Sequence, residues 1–258
     1  MKRIAFVKGH GTGNDFIVIP DEANELELSP QYIRRICDRH FGIGADGVLH
    51  ALKQDGTWFM DYRNADGSIA EMCGNGIRVF AEYLFRENLI ESNADIITRA
   101  GVKVVLRVSE NLWAVQMGAP HISETFTEVE YCGAQFNARA INVGNPHRVV
   151  VLSSLADLPV ELRWDDAPPI HGEGFNLEFY EIIAPGSLRM RVLERGVGET
   201  LSCGTGVCAV AFDYFTTTGL TSCEVRVPGG VLQVERKGDE IVLIGPVELI
   251  ADGFVELT

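Results

Sequence analysis

Cys73-Gly74-Asn75-Gly76-Ile77-Arg78-Val79-Phe80-Ala81-Glu82-Tyr83-Leu84 has a partner in Cys203-Gly204-Thr205-Gly206-Val207-Cys208-Ala209-Val210-Ala211-Phe212-Asp213-Tyr214, and the two lie 130 residues apart in a chain of 258. A cysteine opens each copy and Gly-x-Gly follows. Apolar residues then recur at the same offsets: Ile77, Phe80, Ala81 and Leu84 in the first, Val207, Val210, Ala211 and Tyr214 in the second. That is the spacing of an amphipathic helix, so each cysteine is expected at a helix start.

Working outward, the match continues. Trp58 to Arg63 and Leu188 to Leu193 alternate as strands do, and run into Asn64 and Glu194, each nine positions before its cysteine. Gly13-Asn14-Asp15 precedes the β-rich run Phe16 to Ile19, as Gly144-Asn145-Pro146-His147 precedes Val149 to Val151. Gly101 to Leu106 is answered by Gly230 to Glu235, and each continues through a polar turn into a further strand. Matches in one order, all displaced by nearly the same interval, indicate two copies of one α+β unit. The repeat divides the chain near Met117-Gly118-Ala119-Pro120, giving lobes of residues 1–118 and 119–247.

At this length and with 46% apolar residues the chain can bury two cores. Its 22 Lys and Arg against 36 Asp and Glu give a net charge of −14. That balance opposes binding along a phosphate backbone, so no nucleic-acid partner is expected. Lys8 interrupts the short apolar stretch after Met1-Lys2-Arg3, and no run approaches the length of a membrane span; a cytoplasmic protein without membrane association is expected. The six cysteines contain no C-x-x-C pair and no histidine at metal-ligand spacing, so neither a metal nor a disulfide framework is expected. Cys37, Cys132, Cys208 and Cys223 read as packing residues.

A cysteine at a helix start has chemistry that a buried one lacks. Amides of the first helical turn have no partner within the helix, and with the helix dipole they favour a thiolate or a bound carboxylate. Glycines admit close approach to the backbone. Gly42-Ile43-Gly44-Ala45-Asp46-Gly47 matches a dinucleotide fingerprint in letters, but such a fingerprint must follow a strand and open a helix. Here it follows Ser29-Pro30 and a helical pattern through Ile36, with a capping serine and a first-turn proline. A glycine-rich loop near the site is the better reading. Asn14, Asn64, Asn75, Asn145 and Asn176 are neutral amides able to hold ammonium and carboxylate groups without titrating. Glu194-Arg195 sets a carboxylate beside a guanidinium, and His147 follows Gly-Asn-Pro near the same cleft.

Gly11-Thr12-Gly13-Asn14-Asp15-Phe16, Tyr62-Arg63-Asn64-Ala65-Asp66-Gly67-Ser68, Met72-Cys73-Gly74-Asn75-Gly76, Gly144-Asn145-Pro146-His147, Glu194-Arg195-Gly196-Val197-Gly198-Glu199-Thr200 and Ser202-Cys203-Gly204-Thr205-Gly206 together resemble the diaminopimelate epimerases, over essentially the whole chain and with the motifs in order. The resemblance implies an α+β fold of two pseudo-symmetric lobes, each a mostly antiparallel sheet wrapped around a central helix, with the active site in the cleft between them and the last strand (within 248–258) returning to the first lobe. It implies an isomerase, independent of pyridoxal and of any other cofactor, that interconverts LL- and meso-2,6-diaminopimelate for lysine and peptidoglycan synthesis. Cys73 and Cys203 are then the acid/base pair, supported by His147 and Glu194. Substrate contacts are implied at Asn14, Asn64, Gly74, Asn75, Asn145, Asn176, Glu194, Arg195, Gly204 and Thr205, and a homodimer is implied as the assembly. One stretch departs from the family pattern: His171-Gly172-Glu173-Gly174-Phe175 stands where Phe-Pro-x-Gly usually precedes the asparagine. The rivals are a proline or hydroxyproline racemase, which usually carries histidine where Asn75 stands, a thiol–disulfide redox protein, and a non-catalytic amino-acid-binding pair of lobes.

Overall fold

The computed structural model describes residues 2–167 and 174–257. Two compact units emerge, one of residues up to Val115 together with those from Gly245 onward, the other from Gln116 to Ile244. The departure at His171-Gly172-Glu173 lies outside the described residues.

The first unit contains β1 (Lys2–Gly11), β2 (Asn14–Pro20), α1 (Pro30–Cys37), β3 (Gly47–Gln54), β4 (Thr57–Asn64), α2 (Gly74–Arg86), β5 (Asn93–Thr98), β6 (Gly101–Ser109) and β7 (Leu112–Gly118), whose last residues pass into the second unit. The second unit contains β8 (His121–Tyr131), β9 (Ala134–Asn142), β10 (Pro146–Leu152), β11 (Asn176–Ala184), β12 (Ser187–Glu194), β13 (Gly198–Thr200), α3 (Gly204–Thr218), β14 (Ser222–Val227), β15 (Gly230–Lys237) and most of β16 (Glu240–Pro246). The final strand, β17 (Glu248–Leu257), pairs antiparallel with β1.

Strand pairing shows the duplication more fully than sequence does. In the first unit the order is β17-β1-β2-β3-β4-β5-β6-β7, antiparallel except at β2–β3 and β4–β5. In the second it is β8-β9-β10-β11-β12-β14-β15-β16, antiparallel except at β10–β11 and β12–β14. The parallel pairs fall at the same two places, where a crossover connection is obligatory; α2 and α3 fill one of them in each unit. The other is spanned by α1 in the first unit and by two short 3₁₀ turns, Leu155–Asp157 and Trp164–Asp166, in the second. The C-terminal strand thus takes in the first unit the place that β8 takes in the second. Register makes the equivalences definite: Phe16 pairs with Gly47 where His147 pairs with Asn176.

Ser29 caps α1 as expected, its Oγ accepting from the Tyr32 amide at 3.2 Å, with Pro30 in the first turn. Tyr32, Ile33 and Ile36 pack onto Ile4, Ile17, Ile19 and Val48. The two cysteine-led helices are the central helices that the resemblance implies, and they are covered more fully than the apolar stripe at helical spacing requires. Every residue of α2 from Gly74 to Leu84 and of α3 from Gly204 to Phe215 is buried, so each is central to its unit and covered on all faces. Polar side chains on them therefore need buried partners. The Trp113 indole donates to Glu82 at 2.6 Å, and the Tyr180 hydroxyl donates to Asp213 at 2.8 Å. Gly219, left-handed at φ 76°, ends α3. Cys37, Cys208 and Cys223 are buried as expected, but Cys132 is not a packing residue: it is exposed in the β8–β9 turn with φ 51°.

Candidate active site

Each unit carries a half-site at the N-terminus of its central helix. Cys73 and Cys203 occupy the N-cap positions of α2 and α3, both with extended backbone. The strand-end residues beside them are also equivalent: Asn64 ends β4 and Glu194 ends β12, while Asn14 opens β2 and Asn145 immediately precedes β10.

In the first half-site the Cys73 sulfur accepts from the Gly76 amide at 3.5 Å and donates to Asn14 Oδ1 at 3.6 Å. Asn75, buried in the first turn of α2, donates to the same Asn14 oxygen at 3.3 Å. Arg78, with no exposed surface, donates to the Gly74 carbonyl at 2.8 Å and to Asn75 Oδ1 at 3.0 Å. Gly11 makes room for this guanidinium: a Cβ there would lie 2.9 Å from an Arg78 terminal nitrogen. Asn64 closes its own turn, its amide donating to Ser68 Oγ at 3.0 Å.

The second half-site shares the backbone plan and replaces the side chains. Where Phe16 and Leu49 stand in the first unit, His147 and Glu178 stand in the second. Neither has exposed surface, and His147 Nδ1 meets Glu178 Oε1 at 2.6 Å. A carboxylate only accepts, so Nδ1 donates to Glu178, while Nε2 lies 3.0 Å from Asn145 Oδ1. Thr200 donates to the Glu194 carboxylate at 2.5 Å, and the Trp164 indole donates to the Glu194 carbonyl at 2.8 Å. Asn176 accepts from the Arg195 amide at 2.9 Å, and the exposed Arg195 guanidinium reaches the Gly174 carbonyl at 3.1 Å. Cys203, 6% exposed, lies 3.5 Å from Thr205 Oγ1.

Electrostatics around Cys203 follow from that burial. Loss of water, then the nearby carboxylates of Glu194 and Glu178, push its thiol well above the ordinary range, against weaker support from Thr205 and the Gly206 amide. Burial likewise raises the Glu194 carboxyl, while bonds from Thr200 and Cys203 pull it back. Cys203 is therefore a protonated thiol at neutral pH, an acid in waiting.

Asn14 is bonded to Cys73 and Asn75, and Gly74 follows Cys73, while Asn64 bonds Ser68 within its own turn. In the second unit Glu194 and Thr205 meet Cys203, His147 meets Asn145, and Asn176 meets Arg195. Glu178, Arg78 and Asp46 were not singled out as site residues in the sequence. Glu178 lies in β11 two positions after Asn176, and its signal in the sequence is a charged residue between Leu177 and Phe179. Arg78 was hidden among the helical apolar positions. Among the described residues no group of three or more His, Cys, Asp or Glu is placed to hold a metal ion.

The second glycine of each motif faces a different neighbour. A Cβ at Gly206 would meet Glu178 Oε1 at 2.7 Å, whereas one at Gly76 would meet the flexible end of Leu49 at 3.2 Å. Gly206→Ala is therefore expected to displace the Glu178–His147 pair and lower kcat by about 10²-fold, as loss of an orienting partner does. Gly76→Ala, which asks only a leucine methyl to move, should cost less than about tenfold on the same assay. Equal losses would contradict this placement of Glu178.

A sequence model described as diaminopimelate epimerase matches residues 6–123 and 139–250. A curated protein of Streptomyces coelicolor named diaminopimelate epimerase is 42% identical, the match covering 97% of this chain and 95% of that protein. One of Thermobifida fusca bearing the same name is 40% identical, covering 98% of each. Among solved structures, a hydroxyproline epimerase from Agrobacterium vitis superposes with a TM-score of 0.77 at 14% identity, over 99% of this chain and 91% of that one. A PhzF-family phenazine biosynthesis protein of Bacillus anthracis gives 0.75 at 16% identity over all of both chains. At such identities the structural likeness establishes the shared α+β fold.

Proposed function

The chain belongs to the diaminopimelate epimerase family, and we propose that it interconverts LL- and meso-2,6-diaminopimelate by moving a proton between two thiols, Cys73 and Cys203, across one α-carbon. It is an isomerase. The observation that carries the chemistry is the pair of cysteines capping equivalent central helices. Inversion by proton transfer requires a base on one face of the carbon and an acid on the other.

Unassisted, an amino-acid Cα–H is far too weak an acid. A turnover of ~10 s⁻¹ corresponds to a barrier of about 16 kcal/mol, so the developing carbanion needs stabilisation. The first-turn amides of α2 and α3, opened by Gly74 and Gly204, are suited to the substrate α-carboxylate, which gains charge as the C–H bond breaks. With Cys203 neutral, Cys73 takes the proton from one isomer as thiolate while Cys203 delivers its own to the opposite face. The roles are reversed for the other isomer.

Glu194 sits within reach of the Cys203 proton and, with its own carboxyl raised by burial, can share it. His147, set by Glu178 and Asn145, supports the same exchange from within the second half-site. Asn14, Asn64, Asn75, Asn145, Asn176, Arg195 and Thr205 hold the substrate's charged ends. The reading extends to a cofactor-independent enzyme that works as a cytoplasmic homodimer on a small amino acid of lysine and peptidoglycan synthesis. The cytoplasmic part draws on the cysteine usage of the sequence, and the homodimer and cofactor independence on the family resemblance; no helix among the described residues is long and apolar enough to cross a membrane.

The test is incubation of the reduced protein with LL-diaminopimelate in D₂O. Deuterium entering Cα in step with formation of the meso isomer is the expected result. No exchange with this substrate, but exchange with proline or hydroxyproline, would overturn the substrate assignment and keep the chemistry.

A further inference from the structure

The glycine-rich loop 42–47 remains without a role in the reaction, yet it is tied firmly to the first half-site. Amides of Gly42, Ile43, Gly44 and Ala45 close onto carbonyls at the end of α1. Lys8 donates to the Gly44 carbonyl, and the Ala65 amide donates to the Asp46 carbonyl at 3.0 Å. Asp46 and Asp15 exchange bonds: the Asp46 amide donates to the Asp15 carbonyl at 2.9 Å, and the Asp15 amide donates to Asp46 Oδ2 at 3.1 Å. The Asp46 side chain thus has a fixed address at the mouth of β3.

From that address it controls an amide. Asp46 Oδ2 accepts from Asn14 Nδ2 at 2.7 Å, and Asp46 Oδ1 accepts from Arg39 at 2.7 Å. A carboxylate has no proton to give, so Asn14 must turn its nitrogen toward Asp46 and its oxygen toward Cys73 and Asn75. The far end is fixed in the same way, because Arg78 only donates and so orients the Asn75 oxygen toward itself. Both asparagines stand in a one-way chain of donors and acceptors between a carboxylate and a guanidinium.

We propose that Asp46 is a positioning residue for Cys73: by locking Asn14 with its oxygen on the sulfur, it holds an acceptor for the thiol form from which Cys73 acts as the acid. The inference rests on the two-thiol reaction proposed above. The Gly76 amide donates to the same sulfur at 3.5 Å and favours the thiolate, whereas the Asn14 oxygen is a contact that favours the thiol. Among the described residues the second unit has no such device. Phe175, buried, stands at the position equivalent to Asp46, and Asn145 faces His147 instead of the cysteine.

The experiment is alkylation of the full-length reduced protein with iodoacetamide across a pH series, reading the Cys73 and Cys203 peptides by mass in the same digest. Asp46→Asn should leave the Cys73 midpoint near the wild-type value. Its oxygen still serves Asn14 and the Asp15 amide, and Arg39 keeps its two-nitrogen hold on the Asp15 carboxylate. Asp46→Ala frees the Asn14 amide to rotate, and the Cys73 midpoint should fall by about one pH unit, the scale of one hydrogen bond. Cys203 is the control and should not move. Epimerisation should fall about tenfold in the alanine variant and recover in the asparagine one.

An equal shift in both variants would show that charge alone acts, and no shift in either would leave Asp46 a loop anchor; each overturns the proposal. If Asp46→Ala does not fold, Asp46→Ser, too short to reach Asn14, carries the same expectation. A Cys73→Ala protein that still epimerises would instead sink the two-thiol reaction, an outcome separate from the alkylation profile.

Discussion

Cys73→Ala and Cys203→Ala are each expected to lower kcat/KM for epimerisation by about 10³-fold or more, because each removes a general acid/base from one face of the substrate carbon. The double variant should be little worse than the weaker single one, since the two thiols act as a unit and their losses do not add. Exchange in D₂O separates this from a general collapse of the site. Each single variant keeps one base, so it should wash deuterium into only one of the two isomers, and the two variants should choose opposite isomers. Chiral separation followed by mass analysis reads this directly. A variant with more than about a tenth of wild-type epimerisation, or one that labels both isomers equally, would end the two-base scheme.

Glu178→Gln should have the next largest effect, through a group that is fully buried and belongs to no recognised motif. Two consequences follow from removing one negative charge while keeping the volume. The Glu178 carboxylate is one of the two that disfavour a Cys203 thiolate, so its loss moves the Cys203 thiol pKa downward. Alkylation of Cys203 at a fixed pH below its midpoint should therefore accelerate. At the same time the amide can turn its nitrogen toward His147 Nδ1, which selects the wrong imidazole tautomer; loss of orientation of this kind lowers kcat by roughly 10²- to 10³-fold. The carboxylate–imidazole contact of 2.6 Å makes both effects direct. A Cys203 alkylation profile unchanged by Glu178→Gln would contradict the electrostatic argument, whatever the activity.

The duplication was legible because its markers are local. Gly-x-Gly after a cysteine, alternation in β4 and β12, and an Asn or Glu nine residues upstream each survive in the letters of both halves. The burial of α2 and α3 was less so, since periodicity reports the face that must be apolar and is silent on whether other elements cover the remainder. Arg78 shows the difference. In sequence it marks the polar side of a helix; in the structure it is fully buried and holds Asn75.

The repeated α+β unit, the two thiols at helix starts and most of the residues that surround them can be read from the order of residues. These follow from chain-local rules: helix period, strand alternation and the backbone freedom of glycine. The chemical inequality of the halves emerges from contacts made in the folded chain. Strand register brings Glu178 against Gly206 and His147 where Leu49 and Phe16 lie in the first unit, and it brings Asp46 onto Asn14 across 32 residues of chain. Proton affinity depends on which groups meet in space and how much water they lose, and neither quantity is carried by the order of residues along the chain.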